Sequence, residues 1–415
     1  MTNILILGGG FGGIRTALDL GKKLGKDHQI TLIDKNNCHL FLPSIYEVAS
    51  ARGVEEEDGY NVTLRGTVCV PYGKIFSKRN INFIQAEVTH VDIRNKEIHL
   101  GSGNVLRYDY LVLALGSEVE TFNIPGVKDY AYQFKTIDDA LMIHKTMHRL
   151  YQEAKNGKRE LPIKFLIGGA GFTGIELAAE LACCTEIIRR ACKLNKGCTE
   201  ISIFEATSQI LPMISDKERK IIRKRLIDLG VTIYENGPIE EIKSDGIKIK
   251  GGDFVKGDLV VWTAGIRSNT FISNIVGLHL DQRGKIKTNK FLQAEDYDNI
   301  FALGDNVLFI DPKTEKPIPA LAYIAIEEGR IVAKNIGRHV IGGKMVEYVP
   351  KYDAWIAPVG GKFAVAHVNK YFTVVGFWGW AIRVAVDLRY FIKTLPFFSA
   401  IPLFFREMKI FTKND

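Results

Sequence analysis

Short apolar runs that stop at a glycine or an acid set the rhythm of this chain. They occupy residues 4–7, 30–33, 110–115, 163–167, 201–204, 259–262 and 300–302. Runs with little or no polar alternation predict strands buried on both faces, as in a parallel sheet. After residues 4–7 and again after 163–167 the period changes to that of a helix, in FGGIRTALDL and FTGIELAAEL. A strand–turn–helix unit therefore occurs twice. Residues 82–100 alternate instead, in INFIQAEVTHVDI and KEIHL, and predict a small antiparallel sheet. Residues 55–59 (EEEDG) predict an exposed acidic loop, and 122–127 (FNIPGV) an exit from the first unit. A further helix is predicted over 321–337, with Ala322, Ala325 and Gly329 on one face, where a planar ligand or another backbone can approach closely.

The glycine spacing gives both units a chemistry. Gly8, Gly10 and Gly13 form one GxGxxG between strand and helix, and Gly169, Gly171 and Gly174 form a second. In such a turn the first glycine permits the tight bend and the second lets a pyrophosphate approach the backbone. The third lets helix and strand pack closely. The helix N-terminus then offers unpaired amides to the phosphates. Asp34 and Glu205 end the next strand of each unit, where a carboxylate accepts ribose hydroxyls. Glu205 favours a free 2′-hydroxyl, hence NADH over NADPH. Two complete units fit one resident dinucleotide and one that exchanges hydride with it; a bare duplication holding one ligand is the alternative.

Composition narrows the class. The chain has 415 residues, 46% of them hydrophobic and 25% charged, enough for two or three domains. The net charge of +8 points to an anionic membrane surface more than to nucleic acid, because no basic run with interleaved aromatics occurs. Met1 leads straight into the first strand, so no signal peptide is expected, and no apolar run reaches the ~18 residues of a spanning helix. Cys183, Cys184, Cys192 and Cys198 cluster in sequence, but their spacing fits no metal-ligand pattern and no metal is expected. Residues 377–395 predict a helix with Phe377, Trp378, Trp380, Val384, Leu388, Phe391, Ile392 and Leu395 on one arc. Arg383, Asp387, Arg389 and Lys393 fall on the other side. With the aromatics of PFFSAIPLFFREMK, this tail suits a helix lying in a membrane interface, or else a homodimer contact or a helix packed on the core.

GGGFGG, YDYLVLALGS, GGAGFTGIELAAEL, VVWTAGI and FALGDN follow one another in the order found in two-dinucleotide-binding flavoprotein reductases. With HLFLPSIYEVAS and the tail, the chain resembles the type II NADH:quinone dehydrogenases, with sulfide:quinone reductases as nearest cousins. The resemblance covers residues 3–340 through specific motifs and the remainder more loosely. It implies an α/β fold with two Rossmann-like domains, for FAD and NAD, plus a C-terminal membrane-associating region. Residues 1–118 and 270–345 would bind FAD, 119–269 NAD(H), and 346–415 would dock on the membrane.

The resemblance also implies roles. FAD would lie on Gly8, Gly10, Gly12, Gly13 and Asp34, with Ala86 to Val88 passing the adenine. Gly116, Gly304, Asp305 and Ala322 would complete its site, Asp305 at the ribityl chain. NADH would lie on Gly169, Gly171, Gly174, Glu205, Ala264 and Gly265. Glu176 matches the family's acid beside the nicotinamide, where it orients the ring; a plain first-turn carboxylate answering the helix dipole is the alternative. The family's Ala-Gln-x-Ala-x-Gln helix start is altered here, with Tyr323 and Glu327 in place of the glutamines. Tyr323 would hydrogen-bond a quinone carbonyl. Glu327 would deliver protons if partly buried with a raised pKa, or be a solvated partner of a lysine.

The activity implied is NADH oxidation with two-electron reduction of a membrane quinone, without proton pumping, at the cytoplasmic face of the cell membrane. A soluble reductase of a redox protein or oxygen, and a slow NADH sensor, are the rivals. A sulfide:quinone reductase needs cysteines beside the flavin, and this chain has none after Cys198.

Overall fold

Two five-stranded parallel sheets repeat one plan. The first runs Ile300–Ala302, Tyr110–Leu113, Thr2–Leu7, His28–Asp34, Asn82–Gln85. The second runs Tyr132–Gln133, Leu259–Trp262, Ile163–Gly168, Thr199–Phe204, Val231–Tyr234. This computed structural model describes residues 2–25, 27–53, 59–369 and 371–412. The acidic residues 55–58 lie outside them.

The runs that lacked alternation are the buried strands. Ile4, Ile6, Leu7, Leu32, Phe165, Ile167 and Ile203 have no exposed surface. In each half a three-stranded antiparallel meander precedes the strand that returns beside the glycine-turn strand. Val88–Asp92, Glu97–Leu100 and Val105–Arg107 form one, and Ile239–Lys243, Gly246–Ile249 and Phe254–Lys256 the other. The alternating stretch at 82–92 is therefore two strands and not one. Asn82–Gln85 pairs in parallel with His28–Asp34, and the chain turns out of that sheet before Val88. The two crossings between halves, Ser117–Val119 and Ile266–Ser268, pair antiparallel with each other.

The helix Phe11–Lys23 packs on the helix Ala322–Val340 at very short range. A Cβ on Gly329 would come within 2.6 Å of the Gly12 carbonyl oxygen, and one on Gly12 within 2.9 Å of the Ala325 carbonyl oxygen. The small-residue stripe thus serves backbone approach at Ala325 and Gly329.

A three-stranded sheet (Trp355–Pro358, Ala364–Asn369, Phe372–Gly376) leads into the helices Phe377–Thr394 and Phe397–Phe411. Here the expected sidedness is corrected. Arg383 and Asp387 face inward, each with 12% side-chain exposure, because Arg383 pairs with both Asp387 and Glu47. Phe391 and Leu395 are buried, whereas Phe377, Trp378 and Ile392 of the same expected arc are exposed. Among the described residues no helix is long and apolar enough to cross a membrane.

Candidate active site

The glycine turns match atom for atom in their strain. Gly8 has φ +102° and Gly169 φ +105°, a region open to glycine alone at low cost. A Cβ on Gly13 or Gly174 would sit 2.0 Å from the carbonyl oxygen of Gly8 or Gly169. By contrast a Cβ on Gly10 or Gly171 would meet nothing within 4 Å, so this side of each turn is where a ligand backbone can approach. Neither N-cap carries a side-chain cap, which leaves the first-turn amides for an anion.

Each acid ties its strand end to its own turn. Asp34 Oδ2 accepts from the Gly9 amide at 2.7 Å, and Oδ1 from the Asn36 amide at 2.8 Å. Glu205 Oε2 accepts from the Ala170 amide at 3.1 Å, and Oε1 from the Thr207 amide at 2.9 Å. Ala86 follows directly, its amide donating to the Asp34 carbonyl at 3.0 Å, with Val88 half-buried beyond it. Ala264 supports the second turn from below, 2.7 Å from a Cβ placed on Gly169.

The strand ends of the first sheet are knitted together around Asp305. Ser117 donates to Asp305 Oδ2 at 2.6 Å, and Lys135 Nζ lies 2.9 Å from Ser117 Oγ and 3.9 Å from Asp305. Gly116, at φ +69°, donates its amide to buried Asn306, and Gly304, at φ +79°, donates to Glu328. Burial pushes the Glu328 carboxyl up to about 8.

Lys135 also lines a cavity of about 80 Å³ together with Thr173, Glu176, Trp262 and Gly265. Burial, opposed by the Arg383 guanidinium and reinforced by Glu47, pushes Glu176 up to about 8. A second cavity, of about 410 Å³, lies between the first glycine helix, the Ala322 helix and the tail. Phe11, Phe41, Ala322, Tyr323, Glu327 and Tyr390 are among its lining. Tyr323 and Glu327 do share that wall. The Tyr323 hydroxyl is buried without a hydrogen-bond partner, and burial raises its pKa. Of the two expectations for Glu327, the structure favours the ion-paired carboxylate, with arginine in place of lysine: its side chain is 45% exposed and paired with Arg330, one turn along the same helix.

A family model described as pyridine nucleotide-disulphide oxidoreductase matches residues 2–329. A type II NADH:quinone oxidoreductase of Staphylococcus haemolyticus is 33% identical over 361 residues, covering 84% of this chain and 85% of the relative. The Staphylococcus aureus protein of that name is 33% identical over 354 residues, with 83% and 84% covered. The chain belongs to the type II NADH:quinone oxidoreductase family. In fold it is similar to NDH2 from Plasmodium falciparum, solved in complex with NADH, with TM-score 0.84, 19% identity and 99% of both chains covered. The sulfide:quinone oxidoreductase of Aquifex aeolicus is similar at TM-score 0.77, with 20% identity, 94% of this chain and 91% of that one.

Sequence reasoning missed several groups around the site. His39 is wholly buried and burial lowers it to about 4, so it is neutral. Its Nδ1 lies 3.1 Å from the Gly9 carbonyl, which accepts, so Nε2 accepts from the Tyr390 hydroxyl at 2.7 Å. One imidazole thus joins the first glycine turn to the larger cavity. Lys135, Glu328 and Glu407 were likewise unmarked, for no periodicity or spacing singled them out, and Arg383 was marked only as part of the tail's polar face.

Proposed function

We propose that this protein is an FAD-dependent NADH:quinone oxidoreductase that docks peripherally on a membrane. The observation that carries the reading is Lys135. It reaches Asp305 at the end of the first sheet and lines the same cavity as Glu176 in the second unit, so both ligand sites share one wall.

The residues present fit FAD in the first unit. The space beside Gly10 accepts a pyrophosphate, and the Asp34 oxygens retain lone pairs for ribose hydroxyls after their backbone bonds. When bound, FAD would supply the two-electron chemistry that accepts hydride from NADH and passes electrons to quinone. Gly8, Gly12, Gly13, Gly116, Gly304, Asp305 and Ala322 would shape that site, with Ala86 and Val88 beside the adenine. NADH would lie on Gly169, Gly171, Gly174, Glu205, Ala264 and Gly265. Glu176 positions the nicotinamide. Tyr323, its hydroxyl unpartnered, donates to a quinone carbonyl in the 410 Å³ cavity, while paired Glu327 fixes Arg330 at the mouth.

The division at 118/119 and 269/270 follows the paired crossing strands, leaving 346–415 as the docking region. Phe377, Trp378, Phe397, Phe398 and Phe405 are each at least half exposed, beside Arg389, Lys393 and Arg406. Aromatics with flanking cations suit the cytoplasmic face of an anionic bilayer, from which a lipid-soluble quinone reaches the cavity. A homodimer through the same face is the competing occupant, and binding to anionic vesicles distinguishes the two.

Anaerobic stopped-flow absorbance of the flavin tests the reading. NADH should bleach it and a short-chain quinone should restore it within a turnover. Bleaching without reoxidation by quinone would overturn the acceptor, and no bleaching by NADH would overturn the second glycine turn as its site.

A further inference from the structure

On the polar side of the tail helix Phe377–Thr394, Arg383 and Asp387 turn inward while Arg389 and Lys393 stay exposed, so the inward cluster holds a single cation. Arg383 Nη1 lies 2.6 Å from Glu47 Oε1, its Nη2 donates to Ser44 Oγ at 3.0 Å, and its Nε is 3.6 Å from Asp387 Oδ2. Glu407 of the last helix joins them, 5% exposed, with one carboxyl oxygen buried and unpartnered. One guanidinium therefore faces three carboxyl groups in a low-dielectric interior. Three carboxylates cannot all ionise against one cation there, so the cluster holds protons at neutral pH. Burial pushes Asp387 up to about 6 and Glu407 well above the usual carboxylate range. Also facing Asp387 are Tyr46 beside Glu47, Glu176 and Glu180 on the second glycine helix, and, on the side of the larger cavity, Arg15, Tyr323, Glu327, Arg330, Arg389, Tyr390 and Lys393.

The cluster surrounds a cavity of about 20 Å³, room for about one water. Of the residues lining it, Asp387 alone also lines the 410 Å³ cavity, with Tyr323 and Tyr390. We propose that Asp387 delivers protons from this buried carboxyl cluster to a quinone oxygen in the larger cavity, with Glu407 as its reserve and Arg383 as the anchor.

This rests on the quinone reading of that cavity. Quinone gains two electrons, which derive from the hydride of NADH, and two protons to become quinol. Asp387 gives up a carboxyl proton as the new quinone O–H bond forms, and regains one from Glu407 through the small cavity. The cluster in turn regains its proton from water. The net reaction consumes one proton from solvent, the other being the nucleus of the transferred hydride.

The experiment uses the full-length, flavin-loaded protein in detergent with a short-chain quinone. For Asp387→Asn, bleaching by NADH should keep its wild-type rate while reoxidation slows by about 10²-fold, the low end for a positioned acid. Wild-type reoxidation should fall as pH rises and the cluster empties. The variant should be slow at every pH, and Asp387→Glu should recover most of the rate. Glu407→Gln should slow reoxidation mainly at high pH, where the reserve matters. Infrared spectra of the resting protein supply a readout apart from turnover: a carboxylic-acid C=O band at pH 5 that weakens as pH rises through about 6 and that Asp387→Asn diminishes.

Wild-type reoxidation rates in Asp387→Asn would overturn the donor. So would a deficit that saturating quinone abolishes, because Asp387 would then only shape the cavity. A wild-type protein that quinone leaves reduced would overturn the functional reading itself, a different and separable failure.

Discussion

Gly9 and Ala170 occupy the same place in the two glycine turns, yet their carbonyls are held in different ways. The Gly9 carbonyl accepts from the Tyr72 hydroxyl at 2.9 Å and from His39, side chains that arrive from separate strands and helices. The Ala170 carbonyl accepts from the Leu211 backbone amide at 3.1 Å, in the loop that follows its own unit's second strand. A Cβ on Gly9 would strike the Tyr72 hydroxyl at 2.0 Å, whereas position 170 already carries one. The first turn is thus locked by distant side chains, as suits a ligand that stays. The second relies on its local loop, as suits a ligand that leaves in every turnover.

Filling the third glycine breaks the comparison most sharply. Gly13→Val and Gly174→Val each drive a side chain into a carbonyl oxygen 2.0 Å from the Cβ. Overpacking of that kind costs about 3 kcal/mol, or about 10²-fold in binding. Gly13→Val should purify with little flavin. Gly174→Val should keep its flavin and need about 10²-fold more NADH for half-maximal bleaching. Flavin lost from both would mean the two sites are not separate.

Glu205→Gln comes next, because it keeps the shape but removes the charge that ribose hydroxyls donate to. Charged hydrogen bonds are worth about 1.5–3 kcal/mol, so the KM for NADH should rise at least about tenfold while preference over NADPH shrinks. Unaltered preference would move the adenosine ribose elsewhere.

Each half also keeps one acid raised to about 8, buried Glu328 in the first and half-buried Glu176 in the second. Their folded pKa lies above the unfolded value, so the folded state binds more protons. Stability should be full below about pH 4, then fall as pH rises to about 8, by up to about 1.4 kcal/mol per pH unit for each acid. Glu328→Gln and Glu176→Gln should each flatten that slope in thermal melts between pH 5 and 8. Only Glu176→Gln should change the rate of bleaching by NADH.

The smallest effect belongs to Tyr72→Phe. It removes one neutral hydrogen bond to Gly9, worth about 1 kcal/mol, and should lower the melting temperature by a few degrees. NADH bleaching should be untouched, since the second turn has no counterpart to that hydroxyl.

Much of this was legible in the chain. Gly8, Gly13, Gly169 and Gly174 were marked by spacing because their constraint is local, a bend and a close approach within six residues of sequence. Asp34 and Glu205 followed for the same reason, each closing on the turn of its own unit. The family pattern singles out Glu327, but helix rotation puts its neighbour Glu328 at 1% exposure under Gly304 and leaves Glu327 part-exposed with Arg330. Tail sidedness failed because hydrophobic periodicity assumes that charges face water. Arg383 breaks that assumption by meeting Glu47 in the interior.

By itself the sequence determined two strand–turn–helix units, the class of ligand each binds, and an aromatic, basic tail. These depend on short-range backbone geometry and on composition, which any stretch of chain carries with it. The tertiary structure alone decided which charges are buried and which cavities they serve. Arg383 meets Ser44 across 339 residues of chain, Tyr390 meets His39 across 351, and Lys135 meets Asp305 from another unit. Contacts of such span leave no period in the sequence. They exist because folding removes several charged groups from water together, and each is stable there only beside a partner the fold brings to it.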